Sequence, residues 1–533
     1  NWSGRRELNP RPKRWQRVPG TLEYVPTISR LYIILEAVIT LPTLPATSSS
    51  SFTINKLSLV AMKESISIVI IKIKIVNTNN FILDPKRLIM LVVYKLLYIS
   101  AMKISDHYKS ISLLLILLSI TSFFIGFFYG ENSAGAGNYD GDFQKIWKNL
   151  QIFLNNDILS AITHPDYDDS RTPVAYILHK LFNPFLENEI IYRRSVFIIS
   201  LATPLLFYFC LKQKFTKADN LLLLLISSIV FLSPYYRTTA YWGLEENYGY
   251  IFLLLTFLSL NSFLQNKNQE TYKIYFHLLL ITFLSSLCLY FDQKLIIIPI
   301  ICLFKIIKSE QLIKFKLFSV FYYLIFSLPY FYLISLWGAL IPTSANSARH
   351  LGEKLSLEHV GYSATIIAFY LLPLLLFKEK NLYNLIKNLF LSKKNCYLIF
   401  LFFIYLFYLI NVFDFNEQIF LGKGYIHKVS LILFEHSFLR EFFTYCSFFI
   451  SWIVILIYVD KNFKDILIIF YFFILSVILW PVLQEYFDPL IFLMSFTFFS
   501  SKLFITYKNS IILFCYLLFL LIGSNFYYSN LLG

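Results

Sequence analysis

Asp140 and Asp142 stand in the stretch Gly137-Asn138-Tyr139-Asp140-Gly141-Asp142-Phe143, just past the apolar run ISLLLILLSITSFFIGFFYG and the small-residue patch ENSAGAG. A carboxylate held at the mouth of a low-dielectric cavity has a raised pKa and can act as a general base. A DxD-like pair can also hold a divalent cation through its oxygens. The plain alternative is a solvated turn, with Asp142 serving only as a helix-starting acid for FQKIWKNLQIF.

Four further stretches carry ionisable groups next to apolar runs. SPYYRTTAYWGLEENYGY (233–250) presents Arg237, Glu245 and Glu246. An aromatic interfacial belt explains its tyrosines, but not Arg237, whose forked donors suit a phosphate. CLYFDQKLIIIP (288–299) sets Asp292 and Lys294 between apolar residues, where charge is expensive. It reads either as a turn between two spans or as a polar kink in one. WGALIPTSANSARH (337–350) offers Arg349 and His350, and WPVLQEYFDP (480–489) offers Glu485 and Asp488. His164, His179, His350, His359, His427 and His436 have no HxxxH or HExxH spacing, so zinc-hydrolase chemistry is not indicated. No Walker loop, dinucleotide fingerprint or GxSxG motif occurs.

The elements that must position these residues are membrane helices. The chain has 533 residues, is 57% hydrophobic and contains 56 Phe and 38 Tyr; its mean hydropathy is +0.61. Continuous apolar runs long enough for about 30 Å of hydrocarbon recur, and they lack the period-two alternation of outer-membrane barrels. The fold class expected is all-α, a polytopic transmembrane bundle. Its apolar runs lie near 111–129, 195–211, 220–234, 248–264, 274–290, 295–307, 317–337, 360–377, 396–412, 442–459, 465–480, 488–500 and 510–528, giving about 11–13 spans. The long segment 130–194, with HPDYDDSRTPVAYILHKLFNPF, is expected to form amphipathic helices in a first external loop. The six cysteines are scattered in or beside apolar runs and form no CxxC pair.

Charge gives sidedness. The net charge of +15 might suggest a nucleic-acid partner, but residues 1–101 alone hold 14 Lys/Arg against 5 Asp/Glu. The rest of the basic residues gather in short loops such as KQKFTK (212–217), KIIKSEQLIKFK (305–316) and DKNFKD (460–465). The other loops carry most of the carboxylates. The positive-inside rule accounts for this split, so a nucleic-acid partner is not expected and the polar chemistry should face the periplasm or exterior.

Residues 1–101 read as upstream translation or a basic extension. The chain begins with Asn, and NWSGRRELNPRPKRW can be written as the antisense strand of a transfer RNA gene. Met62, Met90 and Met102 are candidate starts, and residues 102–533 form the expected membrane domain.

GNYDGDF, SPYYRTTAYWGLEENYGYIFLLLTFLSL, CLYFDQKLIIIP and QEYFDP together resemble the type C glycosyltransferase superfamily of membrane proteins over about residues 102–500. WGALIPTSANSARH followed by SLEHVGYSATIIAFYLLPLLL is weakly similar to the dolichyl-phosphate-glucose glucosyltransferases; the bacterial aminoarabinose and lipopolysaccharide-core sugar transferases are an equal match. Where those relatives carry a late Arg-Tyr pair, this chain has Glu485-Tyr486-Phe487. The resemblance implies transfer of a sugar from a polyprenyl-phosphate donor to a lipid or glycan acceptor at the outer face of a bacterial inner membrane. It implies Asp140 or Asp142 as base, and Arg237, Glu245, Glu246, Asp292, Lys294, Arg349, His350 and Glu485 as substrate-binding residues. It implies either no cofactor or a divalent cation such as Mg or Mn. A transporter or flippase, and a polysaccharide polymerase or ligase, are the competing expectations.

Overall fold

The computed structural model describes residues 104–134, 139–265, 270–339, 341–342, 356–379, 382–412, 422–459, 462–478 and 482–529. The expectations for residues 1–101, and for Arg349 and His350, lie outside the described residues, as does the side chain of Asp140.

Every regular element among the described residues is helical, as apolar surroundings demand when backbone groups must be satisfied within each segment. Among the described residues eight helices are long and apolar enough to cross a membrane: His107–Tyr129, Glu189–Lys214, Glu246–Gln265, Thr271–Phe291, Ile313–Trp337, Lys393–Val412, Ser437–Val459 and Tyr507–Tyr528. A ninth is possible if Asn220–Leu232 and Pro234–Trp242, bent by 70° against each other, count as one broken span.

Helix length accounts for the difference from the expected 11–13. Four of the apolar runs fold into Ile297–Ile307, Glu358–Leu371, Phe463–Ile478 and Leu490–Phe496, of 11, 14, 16 and 7 residues. At about 1.5 Å per residue none reaches the ~30 Å of a hydrocarbon core. An apolar run shows that a segment is buried in something greasy, not that it crosses a bilayer.

The long segment after the first span does form short helices, Gln144–Asn155, Ile158–Ile162 and Val174–Phe182. The first is amphipathic: Ile146, Leu150, Ile152 and Phe153 are buried, while Lys145 and Lys148 are not.

The bundle has two chemically distinct ends. At one, the Lys214 ammonium donates to the carbonyls of Thr497 (2.9 Å) and Phe499 (3.0 Å). There Asp465 accepts from the amides of Ser500 (2.7 Å) and Ser501 (2.9 Å). Gln213 reaches Ser262 in the neighbouring span at 2.8 Å. These contacts gather the lysine-rich loops. The opposite ends of the same spans carry Glu246, Phe291 and Asp292, so the carboxylate-bearing loops gather there. Among the described residues, Lys214 and Asp465 thus lie at one end and Glu246, Asp292 and Glu485 meet at another.

Candidate functional site

The carboxylate-rich end is assembled from four chain segments. The first is the turn after Pro234–Trp242. Gly243 sits in the left-handed region at φ 71° and ends that helix; a Cβ there would meet the Tyr192 ring at 3.2 Å. The turn delivers Glu245 and Glu246 to the N-terminus of Glu246–Gln265, where the helix dipole favours negative charge.

The second is the loop around Tyr167–Thr172. Its Arg171 donates to the Glu246 carboxylate and lies 3.8 Å from Glu245 and 3.9 Å from Asp169. Tyr176 donates to the other side of Asp169. Tyr235 also donates to Glu246, at 2.7 Å.

The third is the break between Thr271–Phe291 and Ile297–Ile307. Asp292 caps the short turn Gln293–Ile296 by accepting from the Lys294 amide at 3.2 Å. The Lys294 ammonium lies 3.1 Å from the Asp292 carboxylate and donates to the Glu485 carbonyl at 3.3 Å. Gln293 ties the break to the second segment through the Ser170 carbonyl, at 2.9 Å. The break is a turn, and the helix that follows it has only 11 residues, too few for a second span.

The fourth is the turn Gln484–Tyr486 with Asp488. Asp488 accepts from the Tyr235 amide at 3.1 Å. Gln484 accepts from the Tyr425 amide at 2.8 Å and donates to Tyr370 at 3.1 Å. Tyr486 lies under Lys294, 5.5 Å from the ammonium to the ring centre.

Glu245, Glu246, Asp292, Lys294 and Glu485 are therefore brought together at one end of the bundle. Asp142 joins them: its charge is near enough to raise the Glu485 carboxyl. Burial comes first and the Asp142 charge second in pushing that carboxyl up to about 7, while Lys294 opposes them. Burial lifts Asp488 to about 6, against hydrogen bonding from the Tyr235 amide. Burial, and then the Asp169 charge, hold Glu245 well above the ordinary carboxylate range despite Arg171. Asp292 is raised by burial against the pull of Lys294.

Carboxylates outnumber cations here, and polar atoms remain open. Among the described residues, both Glu245 oxygens, one Glu246 oxygen and both amide atoms of Asn247 are buried without a hydrogen-bond partner. Among the described residues no three His, Cys, Asp or Glu side chains are grouped to hold a metal ion.

Arg237 is the exception among the expected ligand-binding residues, and here the structure corrects the reading. It is 1% exposed, and all its donors are used inside the protein. They reach Glu131 (2.8 Å from Nε, and again from Nη2), the Ser122 hydroxyl (3.2 Å) and carbonyl (2.8 Å), and the Phe231 carbonyl (3.0 Å). No N–H is left for a phosphate. The fork that suits a phosphate suits a buried carboxylate equally well.

Three contributors carried no distinguishing sequence signal. Arg171 sits inside a loop chosen for its amphipathic character, and Glu131 at the foot of the first helix. Lys428 donates to the Tyr528 hydroxyl and lies 4.7 Å and 4.4 Å from the Tyr527 and Tyr528 ring centres. Burial lowers its ammonium to about 8, with the Glu485 charge opposing. Of the histidines, His179 is a packing residue held by Tyr248 (2.8 Å) and Asn183 (3.0 Å). No protein-family model, curated protein or solved structure matches the chain.

Proposed function

We propose that the chain is an integral membrane glycosyltransferase that moves a sugar from a polyprenyl-phosphate donor to a lipid or glycan acceptor. The transfer takes place at the carboxylate-rich end, taken as the periplasmic face of a bacterial inner membrane. The observation that carries this reading is the meeting of Asp142, at the exit of the first span, with Glu485, Lys294 and Arg171 at one end of the bundle.

In this reading the acceptor hydroxyl attacks the anomeric carbon. The new C–O bond forms as the bond from that carbon to the phosphate oxygen breaks, and the polyprenyl phosphate leaves with the electron pair. Asp142 (or Asp140) takes the hydroxyl proton. Glu485, whose carboxyl lies near 7, is placed to relay it. Lys294 and Lys428 offset the charge growing on the leaving phosphate. Arg171 holds Glu245 and Glu246 in place. No step runs through a metal.

The test is transfer from radiolabelled polyprenyl-phosphate sugars in membranes containing the full chain. Asp142→Asn is expected to lower the rate by about 10²–10⁴-fold with an unchanged melting temperature. If Asp140→Asn and Asp142→Asn both retain full activity, the base assignment fails. If the parent transfers from no donor, the glycosyltransferase reading fails.

One observation favours a second reading, a transporter. Both helix breaks point into the same buried cluster, as discontinuous helices do in transporters: the 70° bend at Ser233 brings the Tyr235 amide to Asp488, and the break at Asp292 brings Asp292 and Lys294. Solute flux into proteoliposomes, abolished by Asp292→Asn, would select it.

A further inference from the structure

Arg193 lies about one turn into the span Glu189–Lys214, at the carboxylate-rich end yet beside the cluster rather than in it. Its guanidinium packs 4.0 Å from the Trp242 ring centre and 5.1 Å from that of Phe127. Its Nε donates to the Tyr241 carbonyl at 2.9 Å. Trp242 and Phe127 are buried, so the platform under the guanidinium is fixed. Among the described residues neither Nη nitrogen has an acceptor, and no carboxylate pairs with the group. Glu189, one turn away, instead accepts from the Tyr139 hydroxyl at 2.6 Å. The charged neighbour that acts on Arg193 is a second cation, the exposed Arg194.

A structural arginine is saturated, as Arg237 is, and a snorkelling one leaves its head loose in water. Arg193 is neither. It is half-buried, held by Trp242 and the Tyr241 carbonyl, with its two Nη nitrogens unused. Those nitrogens form a planar fork that fits two oxygens of one phosphate, and the stacking orders the fork before a ligand arrives. The neighbours indicate what carries the phosphate. Ile190 and Ile198 flank Arg194 on one face of the span, and Phe128 follows Phe127 at the end of the first span; all three are exposed. Exposed apolar side chains on spanning helices face lipid tails. A phosphate that reaches Arg193 from this side brings hydrocarbon with it. Two adjacent arginines also favour a headgroup of net negative charge over one that carries a choline.

We infer that Arg193, seated on Trp242, binds the phosphate of an anionic membrane lipid at this end of the bundle. The inference does not rest on the transfer reaction.

The experiment melts the full chain in detergent with short-chain phosphatidylglycerol, with phosphatidylcholine of the same chain length, and with inorganic phosphate. Phosphatidylglycerol is expected to raise the melting temperature, and the other two are not. Arg193→Gln should raise the phosphatidylglycerol concentration needed at least about fivefold, and Arg194→Gln less than about twofold. A photoactivatable phosphatidylglycerol should label the parent chain around Phe128 and Ile190–Ile198, which decides the matter even where the Arg193 variant fails to fold. Three results overturn the proposal: equal losses in the two arginine variants, an equal rise with inorganic phosphate, or labelling that misses both segments.

Discussion

Two arginines near the same end of the bundle, one buried and one half-buried, teach opposite lessons. Arg237 is closed: its partner Glu131 balances its charge, and every donor is taken within the protein. Arg171 is open: it faces Asp169, Glu245 and Glu246 at once, among carboxylate oxygens that lack hydrogen-bond donors. A balanced and saturated pair holds structure. An unbalanced and unsaturated one stores electrostatic strain, which a proton or substrate can relieve.

The largest expected effect comes from opening the closed pair. Glu131→Gln strands the buried Arg237 charge and should cost about 3–5 kcal/mol of stability, read as a lower melting temperature. An unchanged melting temperature would mean that the two arginines do not differ as described.

Next comes the carboxyl pushed up in the open cluster. Glu485 keeps its proton to about 7 in the folded chain, against an ordinary value of 4.5. The folded state binds more protons between those values. The group's contribution is therefore full below 4.5 and drains away as pH rises through 7. Glu485→Gln should flatten that slope and leave the variant more stable above pH 7, by at most about 3 kcal/mol, as followed by melting across pH. A variant no more stable than the parent there would remove the strain from the account of the open cluster.

Gly126→Ala probes the closed pair sterically, because a Cβ at that position would press into Glu131 and Arg237. The expected cost is about 2 kcal/mol, and it should shrink in a Glu131→Ala background without vanishing, since the Arg237 and Tyr241 contacts remain. The smallest effect belongs to an exposed contact beside the cluster. Tyr139→Phe removes a hydroxyl that donates to Glu189 at 2.6 Å and should cost about 0.5 kcal/mol. A larger loss would extend the ordered site out to the first external turn.

Much of this was legible in the sequence for a simple reason. Hydrophobic length and lysine placement report on the solvent each segment meets, which is a local property. The helical membrane class and the separation of the lysine-rich from the carboxylate-rich loops follow from those local preferences. So does the gathering of Glu245, Glu246, Asp292, Lys294 and Glu485, since each lies in a loop or at a helix terminus that reaches the same end of the bundle. The span count did not follow, because the run at 360–377 is as greasy as a true span yet is cut short after Leu371.

Which charges pair was decided only by the tertiary structure. Arg171 and Glu246 are 75 positions apart, and Arg237 and Glu131 are 106 apart. An ion pair depends on distances of a few ångströms, and helix packing alone sets these. Sequence fixed the end of the bundle at which each arginine would lie; packing fixed that one would be sealed and the other left open.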